Sequence, residues 1–311
     1  MKKISILIPC FNEEENVVPM SEALTELFEK ELLKYKYEII FIDNDSTDNT
    51  RTLLRKICDK NKDIKAIFNA KNFGQFKSPY YGIMQTSGDC SIILCCDFQD
   101  PIDLIPQMVE EWEKGNKIIA MQKTTSEENK IMYFFRSCYY KLIHKFSDVE
   151  QIEHFTGFGL YDKSFIEVLK NLNDPTPFLR GIVAELGYKI KILPYKQQKR
   201  RAGKTHNNFY TLYDAAMLSV TSYTKIGLRL ATFLGFGVAF GSIIIAIVYL
   251  VLKLVCWDQF VAGTAPILIG MFFLGAVILI FMGMMGEYIL SINQRIMNRP
   301  LVIEEERINF E

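Results

Sequence analysis

The residues best suited to chemistry are Asp97, Gln99 and Asp100, which follow an apolar run, Ser91 to Cys96, and precede a helix start at Pro101. Carboxylate and amide oxygens are what hard cations such as Mg2+ and Mn2+ prefer, usually from only one or two carboxylates, with substrate phosphates completing the shell. A strand that simply stops at a polar turn, with Pro101 opening a helix, fits this segment equally well. Two further polar turns lie upstream. Pro9-Cys10-Phe11-Asn12-Glu13-Glu14 follows one apolar run, and Asp43-Asn44-Asp45-Ser46-Thr47-Asp48 follows another. In the second turn Ser46 or Asp48 can cap the next helix or its free N–H groups can hold phosphate, yet capping accounts for one acid and not three. Neither turn carries a glycine-rich dinucleotide fingerprint or a G-K-[ST] phosphate loop, which argues against hydride transfer and ATP hydrolysis. Gly203-Lys204-Thr205 lies in a basic tract without the earlier glycine or the strand-to-helix setting of a nucleotide loop.

The elements that must position these turns read as an α/β domain around a mainly parallel sheet. Strands are expected at Ile4 to Pro9, Tyr37 to Ile42, Ile64 to Asn69, Ser91 to Cys96 and Lys117 to Met121. Val17, Met20, Leu24, Leu27 and Phe28 form a helical stripe, and Thr50 to Cys58 gives another. Ligands of such sheets bind at strand ends, where the polar turns fall.

The C-terminal third differs in kind. Leu230 to Leu252 is 23 residues without a charge, about 34 Å of helix against a hydrocarbon core of about 30 Å. Val261 to Met285 is a second such run, and the link between them is short, so a membrane hairpin is expected. Lys225 and Arg229 precede the first run and Arg295 and Arg299 follow the second, whereas the link offers only Lys253. Both termini and the N-terminal head are therefore expected in the cytoplasm. The apolar run after Met1 is only a strand's length, so no signal peptide is expected. Seven cysteines without a C-x-x-C pair read as buried thiols in a reducing compartment, and Cys95 and Cys96 point to opposite faces, against a zinc site with Cys90. The tract from Leu186 through Tyr213 lacks acids, but 36 basic and 36 acidic residues give no net charge, so phosphate or anionic lipid is the expected partner and nucleic acid is not. Phe209, Leu212, Tyr213, Ala216, Met217, Val220 and Tyr223 form an amphipathic stripe expected to lie at the bilayer interface.

Four ordered motifs, Ser5 to Glu14, Asp43 to Asp48, Asn72-Phe73-Gly74 and Asp97-Phe98-Gln99-Asp100-Pro101, resemble the family 2 glycosyltransferases of GT-A fold, and the resemblance covers almost the whole chain. The nearest branch is similar to dolichol-phosphate mannose synthase and the bactoprenol glucosyltransferases. The resemblance implies a nucleotide sugar held by Pro9, Asn12, Glu13, Asp43, Asn72 and Asp97, and a Mg2+ or Mn2+ ion on Asp97 and Gln99. The family's Asp-x-Asp-x-Gln pattern reads Cys95-Cys96-Asp97-Phe98-Gln99 here, so its first carboxylate is a thiol, a poor Mg2+ ligand. Asn44 stands where a second Asp is commoner and Asp45 where glycine is frequent. Lys199 to Lys204 resembles the family's mobile basic loop, giving Arg200 and Lys204 catalytic roles beside Asp97, and Arg136, like Lys123, is a candidate phosphate contact.

In this branch the acceptor is a polyprenyl phosphate, whose second ionisation lies near pH 6, so no strong general base is needed. That suits Thr156-Gly157-Phe158-Gly159, where relatives often carry Gly-Asp-Phe-Arg; Asp162 and Glu185 are candidate substitutes for the missing acid. The expected organisation is a GT-A domain over 1–206, an amphipathic helix over 207–228, two transmembrane helices over 229–290 and a tail over 291–311. The implied activity is inverting transfer of one sugar, from UDP-glucose or a similar donor, onto polyprenyl phosphate. Rival readings are a processive polysaccharide synthase, whose Gln-x-x-Arg-Trp signature is absent, and a silent nucleotide-sugar-binding membrane subunit. A homo-oligomer is expected, with Arg299 to Ile303 as a pairing strand.

Overall fold

The computed structural model describes residues 1–125, 152–203, 213–214, 217–219, 221–222, 226–255, 264–297 and 299–310. In chain order the N-terminal elements are β1 (Lys3–Cys10), α1 (Val17–Lys30), β2 (Lys36–Asp43), α2 (Thr50–Lys60), β3 (Ile64–Asn69), α3 (Gly74–Met84), β4 (Cys90–Ile93) and, after a 3-10 turn, α4 (Ile105–Glu113). They continue with β5 (Ile118–Thr125), β6 (Phe155–Asp162), α5 (Lys163–Leu172), α6 (Leu179–Glu185) and β7 (Ile190–Lys196). Two long helices, α7 (Ile226–Val255) and α8 (Thr264–Ile296), precede a last strand, β8 (Glu304–Ile308).

All eight strands join one sheet in the order β7-β5-β6-β4-β1-β2-β3-β8. The centre, β4-β1-β2-β3, is parallel, as its βα connections require. β6 runs antiparallel to β4 and β5, and β8 antiparallel to β3. The sheet is thus mixed. Strand faces alternate between two layers: Ile4, Ile6 and Ile8 pack with Val17, Met20 and Leu24 of α1, while Leu7, Ile40 and Ile42 pack with Tyr80 and Ile83 of α3. Central strands buried on both faces are why the sequence there reads as unbroken apolar runs.

Three elements depart from expectation. β4 ends at Ile93, and not Cys96, because the chain turns away after the Leu94 N–H bonds the Leu7 carbonyl at 3.2 Å. Lys123 lies within β5 opposite Tyr195, not beyond the strand. The tail forms β8 beyond Ile303 and pairs with the chain's own β3, so this edge is used internally.

The chain divides into two compact units: one holds the sheet with its helices and the tail from Met297, the other the two long helices. Among the described residues one stretch, Phe273–Ile296 of α8, is long and apolar enough to cross a membrane.

Candidate active site

The parallel register brings Cys10 opposite Asp43 and Leu7 opposite Ile93, so the turns after β1, β2 and β4 meet at one sheet end. These turns are stitched together by side chain to backbone bonds. Asn12 N–H donates to Ser46 Oγ at 2.8 Å, Glu13 N–H to Thr50 Oγ1 at 2.9 Å and Thr47 N–H to Asn12 Oδ1 at 2.8 Å. Each turn holds one non-glycine residue in the left-handed region: Asn12 at φ 55°, Asp45 at 69° and Phe98 at 61°. Asn and Asp enter that region at the least cost, whereas Phe98 is strained there. Such strain clusters at ligand sites.

Asp43 is fully buried at the end of β2. Its Oδ2 accepts from Arg51 Nε at 2.7 Å and from Ser46 N–H at 3.2 Å, while its Oδ1 has no hydrogen-bond partner. Beside it Asn44 takes a role an aspartate could not fill. Its Nδ2 donates to Asn72 Oδ1 at 2.9 Å while its Oδ1 accepts from Asn69 Nδ2 and Phe73 N–H, fixing the Asn72-Phe73-Gly74 turn.

The basic loop lies across the other two turns. Arg200 Nη2 is 2.9 Å from Asp97 Oδ2 and its Nη1 is 3.4 Å from Glu13 Oε1. Arg201 N–H donates to the Asp97 carbonyl at 3.1 Å, Gln198 N–H to the Gln99 carbonyl at 3.2 Å, and the Arg201 guanidinium stands over the Phe98 ring at 5.2 Å. Burial raises the pKa of Glu13, against the lowering effect of Asn16 Nδ2, which donates to it at 2.6 Å, and of Arg200. Asp100 accepts from Cys95 N–H and Tyr195 Oη–H, and burial pushes it up to about 6.

The donor set fits a hard cation only sparingly. Asp97 presents one carboxylate, oriented by the Gln99 N–H on its Oδ1 at 3.1 Å and already facing a positive group on its Oδ2. Cys95 is exposed at this turn. Among the described residues no three His, Cys, Asp or Glu side chains group as a metal site. A divalent ion held here would depend on Asp97, Gln99 and a substrate's phosphates.

Pro9 and Asp43, at the ends of β1 and β2, and Asn12, Glu13, Asn72, Asp97, Gln99 and Arg200, on the turns and loop beyond, thus all lie at this sheet end. Arg136 and Lys204 lie outside the described residues. The candidate substitutes for an acid do not join them. Asp162 sits opposite Cys90 at the start of β4, the far end of the sheet, where it caps α5 and accepts from Trp112 Nε1 and Lys117. Glu185 is exposed at the end of α6. Gly159 is required by packing: a Cβ there would come within 2.4 Å of the Ile119 carbonyl oxygen, so the arginine common in relatives has no room. Reading the sequence missed Arg51 and Asn16, since an arginine in a helix's first turn and an asparagine before a helix carry no signal of a site.

A mixed sheet with acidic turns at the ends of its parallel core is GT-A-like, the fold of a class of glycosyltransferases. The chain belongs to glycosyl transferase family 2, whose model matches residues 5–169. It is 30% identical to the SfII prophage-derived bactoprenol glucosyl transferase of Shigella flexneri over 97% of both chains. It is also 30% identical to the prophage bactoprenol glucosyl transferase homolog of Escherichia coli K12, over 92% of this chain and 93% of that one. Among solved structures, mannosyl-3-phosphoglycerate synthase from Rubrobacter xylanophilus superposes with a TM-score of 0.50 at 13% identity, covering 70% of this chain and 72% of that one, a likeness of fold alone.

Proposed function

We propose that this glycosyltransferase moves a single glucose from UDP-glucose onto a polyprenyl phosphate at the cytoplasmic membrane face, with inversion at the anomeric carbon. The observation that carries the reading is one sheet end that brings together a buried carboxylate with an unpartnered oxygen, Asp43, and a carboxylate paired with a loop arginine, Asp97 with Arg200. Similarity over 97% of the chain to a protein named bactoprenol glucosyl transferase supports this acceptor class.

In this reading Asp43, Asn12 and Asn72 hold the nucleoside side of the donor, with Pro9 and Glu13 shaping the turn beneath it. Asp97 and Gln99 would hold Mg2+ or Mn2+, which supplies positive charge to the donor diphosphate. Arg200, with Arg136 and Lys204, receives the acceptor phosphate and neutralises the departing diphosphate. The acceptor is already an anion at neutral pH, so the protein has chiefly to align phosphates, and glycine at positions 157 and 159, where relatives often carry an acid and an arginine, is no obstacle.

The two long helices form a membrane hairpin. Phe236, Phe240 and Ile247 of α7 and Ile278, Leu279 and Ile289 of α8 are large apolar side chains left exposed, which supports burial in lipid. The amphipathic segment over 207–228 lies at the interface, both termini are cytoplasmic, and the chain works as a homo-oligomer.

The test is incubation of purified protein with Mg2+ or Mn2+, undecaprenyl phosphate and a panel of nucleotide sugars. Glycolipid should form, and Asp97→Asn should reduce it about a hundredfold or more. Full turnover by that variant would contradict the role of Asp97.

A further inference from the structure

The tail strand β8 reaches Arg51, and through it Asp43, at one irregularity. Phe68 pairs with Glu306 and Asn69 with Glu304, so Glu305 is an extra residue opposite a single step of β3, a β-bulge. Bulges re-aim side chains, often beside active sites. Glu305 Oε2 accepts from Arg51 Nη1 at 2.8 Å. The same guanidinium donates through Nη2 to the Asn69 carbonyl at 2.5 Å and through Nε to Asp43 Oδ2 at 2.7 Å. Its planar fork is rigid, so fixing both Nη atoms fixes the direction of Nε. With Arg51 Nε and the Ser46 N–H on Oδ2, both acceptor directions of that oxygen are taken, leaving Oδ1 as the open one, buried and unpartnered. A buried acceptor left without a donor is costly, so a ligand N–H gains by reaching it.

We propose that the C-terminal strand is part of the donor site: Glu305 is a positioning residue that holds Arg51, and Arg51 restricts Asp43 to one available oxygen, selecting bases with a single imide N–H over guanine. Guanine offers an N1–H and an N2 amino group side by side and needs both carboxylate oxygens. Uracil offers one imide N–H and is satisfied by one. The inference rests on the nucleoside role of Asp43 proposed above and adds the selecting arrangement around it.

Calorimetric titration of UDP and GDP into the full-length protein in detergent tests this, with donor KM and kcat measured beside it and thermal melting as a check on folding. The unaltered protein should bind UDP at least tenfold more tightly than GDP. Glu305→Gln keeps the β8 backbone and alters a half-exposed ion pair, so it should weaken UDP about two- to fivefold at low salt and raise the donor KM more than it changes kcat. Arg51→Gln should weaken UDP more and narrow the UDP to GDP ratio, which loss of structure alone would not do. Equal binding of UDP and GDP by the unaltered protein, or UDP binding and selectivity unchanged in folded Glu305→Gln, overturns the proposal. Unchanged UDP affinity in Asp43→Asn instead removes the nucleoside reading beneath it.

Discussion

Asp97 stands as a single carboxylate where relatives often have two, and the guanidinium of Arg200 lies against it. Replacing Cys95, exposed on the same turn, by Asp should lower the Mn2+ concentration for half-maximal activity roughly tenfold. An unchanged requirement would place the cation elsewhere. Residue types named the turn, but not the charges around it: that Asp45 sits at φ 69°, where relatives often use glycine, or that Asn44 ties down Asn72, depends on backbone angles and on contacts between distant segments. Glu38 shows the same gap. It falls within the expected strand Tyr37 to Ile42 with nothing in its type to mark it as buried, yet it is buried at the far end of the sheet. Burial alone would raise its pKa, but hydrogen bonds from Ser5, the Ser87 N–H, Lys3 and Lys65 outweigh that and hold it at about 2. Its folded pKa is depressed, so its stabilisation, about 3 kcal/mol, is present at neutral pH and is lost as pH falls from about 5 towards 2. Glu38→Gln should lower neutral-pH stability by about that amount and flatten acid unfolding over that window in denaturant titrations; an unaltered acid limb would contradict it.

At the scale of elements, the parallel core was legible because its strands are buried on both faces and read as apolar runs, and α1 and α2 because their stripes repeat at helical spacing. The expected strand end at Cys96 overran, since apolar residues continue past the last ladder bond at a turn folded back toward the site. β6 was hidden by its own glycines, and those glycines have a structural cause. Gly157 takes φ 102°, and Gly159 lets β6 approach the Ile119 backbone. Gly159→Ala should cost about 3 kcal/mol or more, because the obstructing atom is main-chain oxygen with no rotamer to yield. Chemical denaturation reads this directly, and a shift within about 0.5 kcal/mol would show that β5 and β6 separate easily. β8 escaped notice because Glu304-Glu305-Glu306 is poor strand sequence and its pairing with β3 is non-local.

At the scale of the whole molecule, β8 constrains the membrane reading. It follows both long helices in the chain yet pairs with β3, which precedes them. A single crossing would leave the two strands on opposite sides of the bilayer, so α7 and α8 cross together or not at all. Reporters fused at either terminus should both report the cytoplasm, and a C-terminal reporter on the far side would rule out the hairpin as proposed. The apolar runs and flanking charges are the grounds for expecting the hairpin, whereas the donor's base and sugar depend on atoms that no motif encodes. Single-sugar transfer to a lipid phosphate is read from the mass of the lipid product. Purified protein with UDP-glucose, undecaprenyl phosphate and Mn2+ should yield undecaprenyl phosphate heavier by one hexose and no more. A ladder of several hexoses, or no glycolipid from any nucleotide sugar supplied, would contradict the account.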